Sequence, residues 1–232
     1  MKKAMMVFAA AALAGTLVAS AQEVLSANAV GYVKRDIPAG KLQIVSIPFV
    51  NMASDTGTYK FGETDMAISE LQQNDSVMFW DAENQVWNPG SKSKKGWAAA
   101  QSNHVIQVGE AFFVRSKQAA DISVTAQGEV PDDVSLPVSY AGDKALSIVA
   151  YPFPVEQKFG TTELANQLPQ NSSVMFWDAE NQVWNPGSKS KKGWAAAQSN
   201  HVIQVGEGFF IRTPEGGSTW EPVRPYTWPA AE

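Results

Sequence analysis

Short apolar runs recur along this chain between clusters of Gly, Pro, Asn, Asp and Ser. Runs of that length, punctuated that way, predict strands joined by turns. Val30–Ile37 reads as a first strand, with Val30, Tyr32 and Lys34 on alternate positions. Pro38-Ala39-Gly40 is the turn after it. Residues 42–49 are apolar on both faces, which predicts a central strand, with Pro48 fitting its end because proline donates nothing to a ladder. Residues 51–60 read as a polar loop. The best helix candidate is 63–73, two to three turns long, with Met66, Ile68 and Leu71 only loosely at helical spacing and Thr64 or Asp65 as cap. Residues 77–80 are again apolar on both faces. A turn signal at 81–84 returns the chain through 85–87, which places Trp87 opposite either Met78 or Trp80. Asn88-Pro89-Gly90 predicts another turn, 91–95 a solvated loop, and Trp97 a plug folded back on the body. Strands at 105–108, 111–115 and 122–124 complete the unit, with a tight turn at Gly109-Glu110.

The pattern is written twice. Residues 76–115 recur at 173–212, and only two positions differ: Ala111 is matched by Gly208, and Val114 by Ile211. The flanks have drifted, but residues 148–153 still match 44–49, and Phe159-Gly160 matches Phe61-Gly62. A matching short helix is expected at 161–168. Pro48 precedes its repeat by 28 residues and Pro152 by 21 (76 − 48 and 173 − 152), so the loop at 51–60 carries an insertion. The fold expected is mainly β: two tandem, pseudo-twofold-related β-sandwich or barrel modules, each with one short helix. Module 1 is 22–130 and module 2 is 131–212. Residues 213–232 form an aromatic, Pro-rich tail that docks on the body, in the place of the strand at Ile122, or serves attachment and sorting. Copying or conversion explains the near-identity of the repeats as well as selection does.

Asn28-Ala29-Val30-Gly31-Tyr32-Val33, Ile37-Pro38-Ala39-Gly40 and the strand ending at Pro48 resemble a family of exported bacterial proteins of unassigned function. The endings at 108–114 and 205–211 look like that family's closing hairpin, which often carries Pro where Val108 and Val205 stand here. The resemblance covers most of the chain after the leader and implies tandem modules. Its motifs are turns and strands, and it carries over no catalytic residue.

Composition adds the compartment. Lys2 and Lys3, an apolar run at 4–18 and Ala19-Ser20-Ala21 form a signal-peptide pattern over 1–21, with cleavage expected after Ala21. The product is expected in the periplasm, at the cell surface or outside the cell, with no integral membrane segment. Loss of both lysines leaves 16 basic against 23 acidic residues, so the formal charge moves from −5 to −7. That argues against nucleic acid as partner. The chain has no cysteine, which excludes disulfides, thiol catalysis and thiolate metal sites.

The candidate chemistry is sparse. His104 and His201 are one per copy and read as turn histidines rather than metal ligands. Asp81, Glu83 and Asn84, with Asp178, Glu180 and Asn181, lack the alternating calcium-loop spacing and suit a hairpin turn. No phosphate loop, nucleophile elbow or cofactor signature occurs, so no catalytic residue, metal or cofactor is assigned. The ligand-binding candidates are Trp80, Trp87, Trp97, Lys94 and Lys95, with their equivalents Trp177, Trp184, Trp194, Lys191 and Lys192. Aromatics in a small β module default to core, whereas one exposed beside polar groups offers a stacking platform for sugar. The expected role is an exported, non-enzymatic structural or interaction protein of the envelope. The alternative is a carbohydrate-binding protein with one tryptophan site per module. Expected partners are a glycan, an envelope protein or a second copy of the chain.

Overall fold

A computed structural model describes residues 29–227. The signal-peptide pattern and Trp228 lie outside the described residues. Module 1 is built from β1 (Val30–Ile37), β2 (Leu42–Ser46), β3 (Tyr59–Lys60), β4 (Ser76–Asp81), β5 (Val86–Ser91), β6 (Val105–Ile106), β7 (Ala111–Arg115) and β8 (Ile122–Glu129). Strands β2, β7, β4 and β5 form an antiparallel sheet in that order, while β1 pairs with β8 and β3 with β6. Module 2 repeats this with β9 (Val138–Tyr140), β10 (Leu146–Ala150), β11 (Gln157–Lys158), β12 (Ser173–Asp178), β13 (Val183–Ser188), β14 (Val202–Ile203), β15 (Gly208–Arg212) and β16 (Ser218–Trp220). Its sheet runs β10-β15-β12-β13, with β9 paired to β16 and β11 to β14. The mainly β, two-module architecture expected from the sequence is what the chain forms.

The alternation along each strand sends side chains into two different cores. Val77 and Phe79 on β4, with Phe112 and Val114 on β7, face inward against Ile37, Val124 and the buried Phe61, Met66 and Leu71. The intervening residues, Ile44, Met78, Trp80, Ala111 and Phe113, face the equivalent sheet of module 2. Each four-stranded sheet is thus covered on both faces, by its own module and by the other. That is why residues 42–49 and 77–80 read as apolar throughout. Where β4 meets β5, Trp80 lies opposite Trp87, which resolves the register that the sequence left open.

Three local expectations need correcting. The helix over 63–73 is shorter: a 3-10 turn at Phe61–Glu63 leads into a five-residue π-helix, Met66–Glu70. The buried residues Met66 and Leu71 are five apart and joined by Leu71 N–H to Met66 O at 2.9 Å, a spacing that a π turn meets. Thr64 Oγ1 accepts from Ala67 N–H at its start, as Thr162 Oγ1 does from Ala165 N–H before α1, the helix Glu163–Gln167. Second, Asn88-Pro89-Gly90 is not a turn but lies within β5. As the edge strand, β5 has one unpaired side, where proline's missing N–H is tolerated. A Cβ on Gly90 would sit 2.3 Å from Gln101 Cδ, and Gln101 Nε2 donates to Pro89 O at 3.1 Å, so the loop closes over this edge. Third, 134–140 yields only the three-residue β9, against eight residues in β1.

The tail completes module 2. Strand β16 pairs with β9 as β8 pairs with β1. Trp220 is fully buried with Tyr151 beside it, their rings 5.7 Å apart. Tyr226 packs on Phe153 and donates its hydroxyl to Pro131 O at 2.8 Å.

Candidate functional site

The two sheets meet about a pseudo-twofold axis, and the turn after β4 is what joins them. Gln85 stands at φ 55° and Gln182 at φ 57°, left-handed positions that aim their amides at the other module. Gln85 Oε1 accepts from Leu146 N–H at 2.7 Å, and its Nε2 donates to Leu146 O at 3.0 Å. Gln182 does the same to Leu42 N–H and O, at 2.8 and 3.0 Å. Each side-chain amide therefore satisfies the end of the partner module's edge strand, β10 or β2. Trp80 Nε1 also donates to Leu146 O at 2.8 Å, and Trp177 Nε1 to Leu42 O at 3.0 Å. Further along the axis Ser46 N–H donates to Gly206 O and Ala150 N–H to Gly109 O, at 3.0 and 2.7 Å.

Between these anchors lies a cavity of about 410 Å³. Trp80, Trp87, Trp177 and Trp184 line it with Phe113 and Phe210; Leu42, Leu146, Met78 and Met175 complete the wall. The rings meet edge to face: Trp80–Trp87 at 4.9 Å, Trp177–Trp184 at 5.0 Å and Phe113–Trp177 at 5.2 Å. Four of the six repeated tryptophans, two per module, thus converge on one shared space. With the Trp80 and Trp177 N–H groups held by backbone oxygens, the surface offered is almost wholly apolar. A cavity of this size and character suits an apolar ligand of modest size.

The remaining candidates lie elsewhere. Trp97 and Trp194 belong to the separate module cores, edge-on to Phe61 and Phe159 at 5.1 Å, with their Nε1 donating to Ala67 O and Ala165 O. Both are the plug the sequence suggests. Lys94, Lys95, Lys191 and Lys192 are exposed on the loop beyond and reach none of the four seam tryptophans' cavity wall. Their neighbour Lys92 turns inward: its Nζ donates to the carbonyls of Ala67, Ile68 and Leu71. Lys189 caps α1 likewise through Ala165, Asn166 and Leu168. These lysines satisfy helix-end carbonyls that lack partners within the helix.

His104 stacks on Phe79 with ring centres 3.7 Å apart, and its Nε2 meets Glu110 Oε1 at 2.7 Å. Glu110 Oε2 accepts from Gln107 N–H, closing the turn. His201, Phe176, Glu207 and Gln204 repeat the arrangement. Asp81 Oδ1 accepts from the backbone of Glu83 and Asn84, and its Oδ2 from Asn84 Nδ2. These bonds, those from Asn84 foremost, hold the Asp81 carboxyl below its usual range, and Asn181 does so for Asp178. The acids are hairpin-turn residues. Among the described residues, no group of three or more His, Cys, Asp or Glu is placed to hold a metal ion.

Gln85, Gln182, Met78, Met175 and the Leu42 and Leu146 backbones were not singled out by sequence. The signal for the methionines was present in residues 77–80, whose two apolar faces require two coverings. Nothing in the sequence says that Gln85 reaches across 61 residues to Leu146.

No protein-family model, no curated protein and no solved structure matches this chain.

Proposed function

We propose that the chain is an exported, non-enzymatic structural and interaction protein of the cell envelope, and that its ligand seat is the aromatic cavity on the pseudo-twofold axis. The observation carrying this reading is the convergence of Trp80, Trp87, Trp177 and Trp184 from both copies on one apolar space of about 410 Å³. The histidines and turn aspartates that the sequence offers as candidate chemistry are committed to structure: each histidine to a glutamate and a phenylalanine, Asp81 and Asp178 to turns. The signal-peptide pattern supports export.

The carbohydrate reading keeps one supporting feature, the half-buried state of the four indoles, which leaves ring surface for stacking. It lacks the polar fringe that sugar hydroxyls need, because Trp80 and Trp177 spend their N–H groups on backbone. The test is indole fluorescence titrated with uncharged 1-aminoanthracene, beside a glycan array, and fractionation of the producing cells. The probe is expected to quench the indoles in the wild type and to lose most of its affinity in Met175→Lys, which sets a charge in the wall. A silent probe with a glycan hit lost in the same variant would transfer the site to carbohydrate. Silence from both, or recovery of the protein in the cytosol, would sink the proposal.

A further inference from the structure

The aromatic cavity on the axis joins two groups of rings, each drawn from both modules. Trp80 and Trp87 meet Phe210 of module 2 at 5.5 and 5.8 Å. Trp177 and Trp184 meet Phe113 of module 1 at 5.2 and 5.8 Å. Wherever two of these rings touch, their planes stand between 60° and 89° apart. None lies flat on another, in contrast to Phe79 and His104 in the module core, whose planes are 17° apart. Parallel stacking therefore hides no indole face within the group, and all four indoles are half-buried rather than sealed. For an N–H or O–H donor the wall provides little. Among the described residues lining it there is no charged side chain and no hydroxyl. The backbone oxygens are already taken: Leu146 O accepts from Trp80 Nε1 and Gln85 Nε2, and Leu42 O from Trp177 Nε1 and Gln182 Nε2. Two bonds fill the two lone pairs of each carbonyl. A primary ammonium entering here would give up its bonds to water without replacement.

We infer that this cavity takes a quaternary ammonium group. Such a cation has no N–H to satisfy, its methyl groups suit an apolar wall, and the negative faces of aromatic rings attract it, indole most strongly. Aliphatic side chains would line a seat for a neutral apolar ligand equally well, but four indoles and two phenyl rings add an electrostatic attraction that only a cation uses. The thioethers of Met78 and Met175 complete the wall with polarizable, adaptable groups. The formal charge of −5 on the whole chain favours approach of a cation. The inference rests on the reading of this cavity as the ligand seat and names the chemistry of its ligand.

Choline and its neutral carbon isostere, 3,3-dimethyl-1-butanol, share a shape and differ in charge. Calorimetric titration of the intact protein is expected to show choline binding about tenfold or more tighter than the alcohol. Ethanolamine, which keeps the charge but brings N–H donors, is expected to bind no better than the alcohol. Choline is also expected to displace 1-aminoanthracene, which locates it in the same cavity. Trp87→Leu combined with Trp184→Leu keeps the wall apolar, removes two π faces and spares the two indoles that bond across the modules. It is expected to weaken choline by about tenfold or more and the alcohol by less. Should that variant not fold, Met175→Lys sets a like charge in the wall and is expected to abolish choline binding. Sedimentation with phosphatidylcholine vesicles reports the source: pelleting of the protein assigns the group to a lipid head, and choline binding without pelleting assigns a free solute. Choline no tighter than the alcohol, equal losses of both in the double tryptophan variant, or unchanged choline affinity in Met175→Lys would overturn the inference. If 1-aminoanthracene still binds in that case, the cavity stands as a neutral apolar seat; if it does not, the reading of the cavity falls as well.

Discussion

One of the two differences between the repeats sits on the pseudo-twofold axis, and its consequence can be worked out. Gly208 on β15 faces Ala111 on β7, and a Cβ at 208 would stand 2.2 Å from Ala111 Cβ and 3.1 Å from Ile44. The Ile44 side chain can give by a few tenths of an ångström, but the two methyls at 111 and 208 would both be fixed to sheet backbone and cannot. Two alanines cannot share the axis, so the copies cannot be identical here. Gly208→Ala should therefore push the sheets apart. Overpacking of this kind costs about 1–3 kcal/mol, and the rigid setting places it near the top of that span. The alanine recovers about 0.4–1 kcal/mol by restricting the unfolded chain. The net expectation is about 2 kcal/mol of destabilisation, a fall in Tm of roughly 4–8 °C at this chain length. Ala111→Gly alone should cost about 1 kcal/mol through lost burial and added backbone freedom. The double variant Ala111→Gly with Gly208→Ala restores one methyl to the axis from the opposite side. It should recover to within about 0.5 kcal/mol of wild type, a coupling of about 2.5 kcal/mol. Urea unfolding of the four proteins closes the cycle. If Gly208→Ala is neutral, or if the double variant is no more stable than Gly208→Ala, the two methyls do not compete and the axial packing described here is wrong.

Two further outcomes follow from the same geometry. Gln85→Ala removes both bonds to the Leu146 backbone and exposes the edge of β10; a loss of about 1–2 kcal/mol is expected, with faster hydrogen exchange at Leu146, and unchanged exchange there would refute the bridging role. Burial raises the phenols of Tyr59, Tyr151 and Tyr226 from 10.0 to about 12. A raised phenol stabilises the fold fully below the unfolded value and loses that contribution as pH climbs from 10 towards 12. Alkaline titration followed by phenolate absorbance should therefore show these three ionising late and together with unfolding, and their early, reversible titration would contradict the burial.

How much of this was legible depends on distance along the chain. Turn acids such as Asp81, the plug Trp97 and the tight turn at Gly109 could be read because their partners lie within one module and mostly within a few residues. The Pro89-Gly90 pair misled because local turn chemistry cannot tell a turn from an edge strand that another segment covers. For the tryptophans, sequence offered core or exposed platform. The third arrangement, a seam between copies, needs the other copy in place.

By itself the sequence determined two β modules, because apolar alternation, turn residues and a written repeat are local properties of the chain. The doubly apolar strands at 42–49 and 77–80 even demanded a covering on each face. Only the tertiary structure decided what that covering is. It set the axis through Ala111 and Gly208 and merged four indoles into one cavity. Two copies that agree at nearly every repeated position have the same local preferences. Their differing roles arise where they touch, since two identical groups cannot occupy one point on an axis.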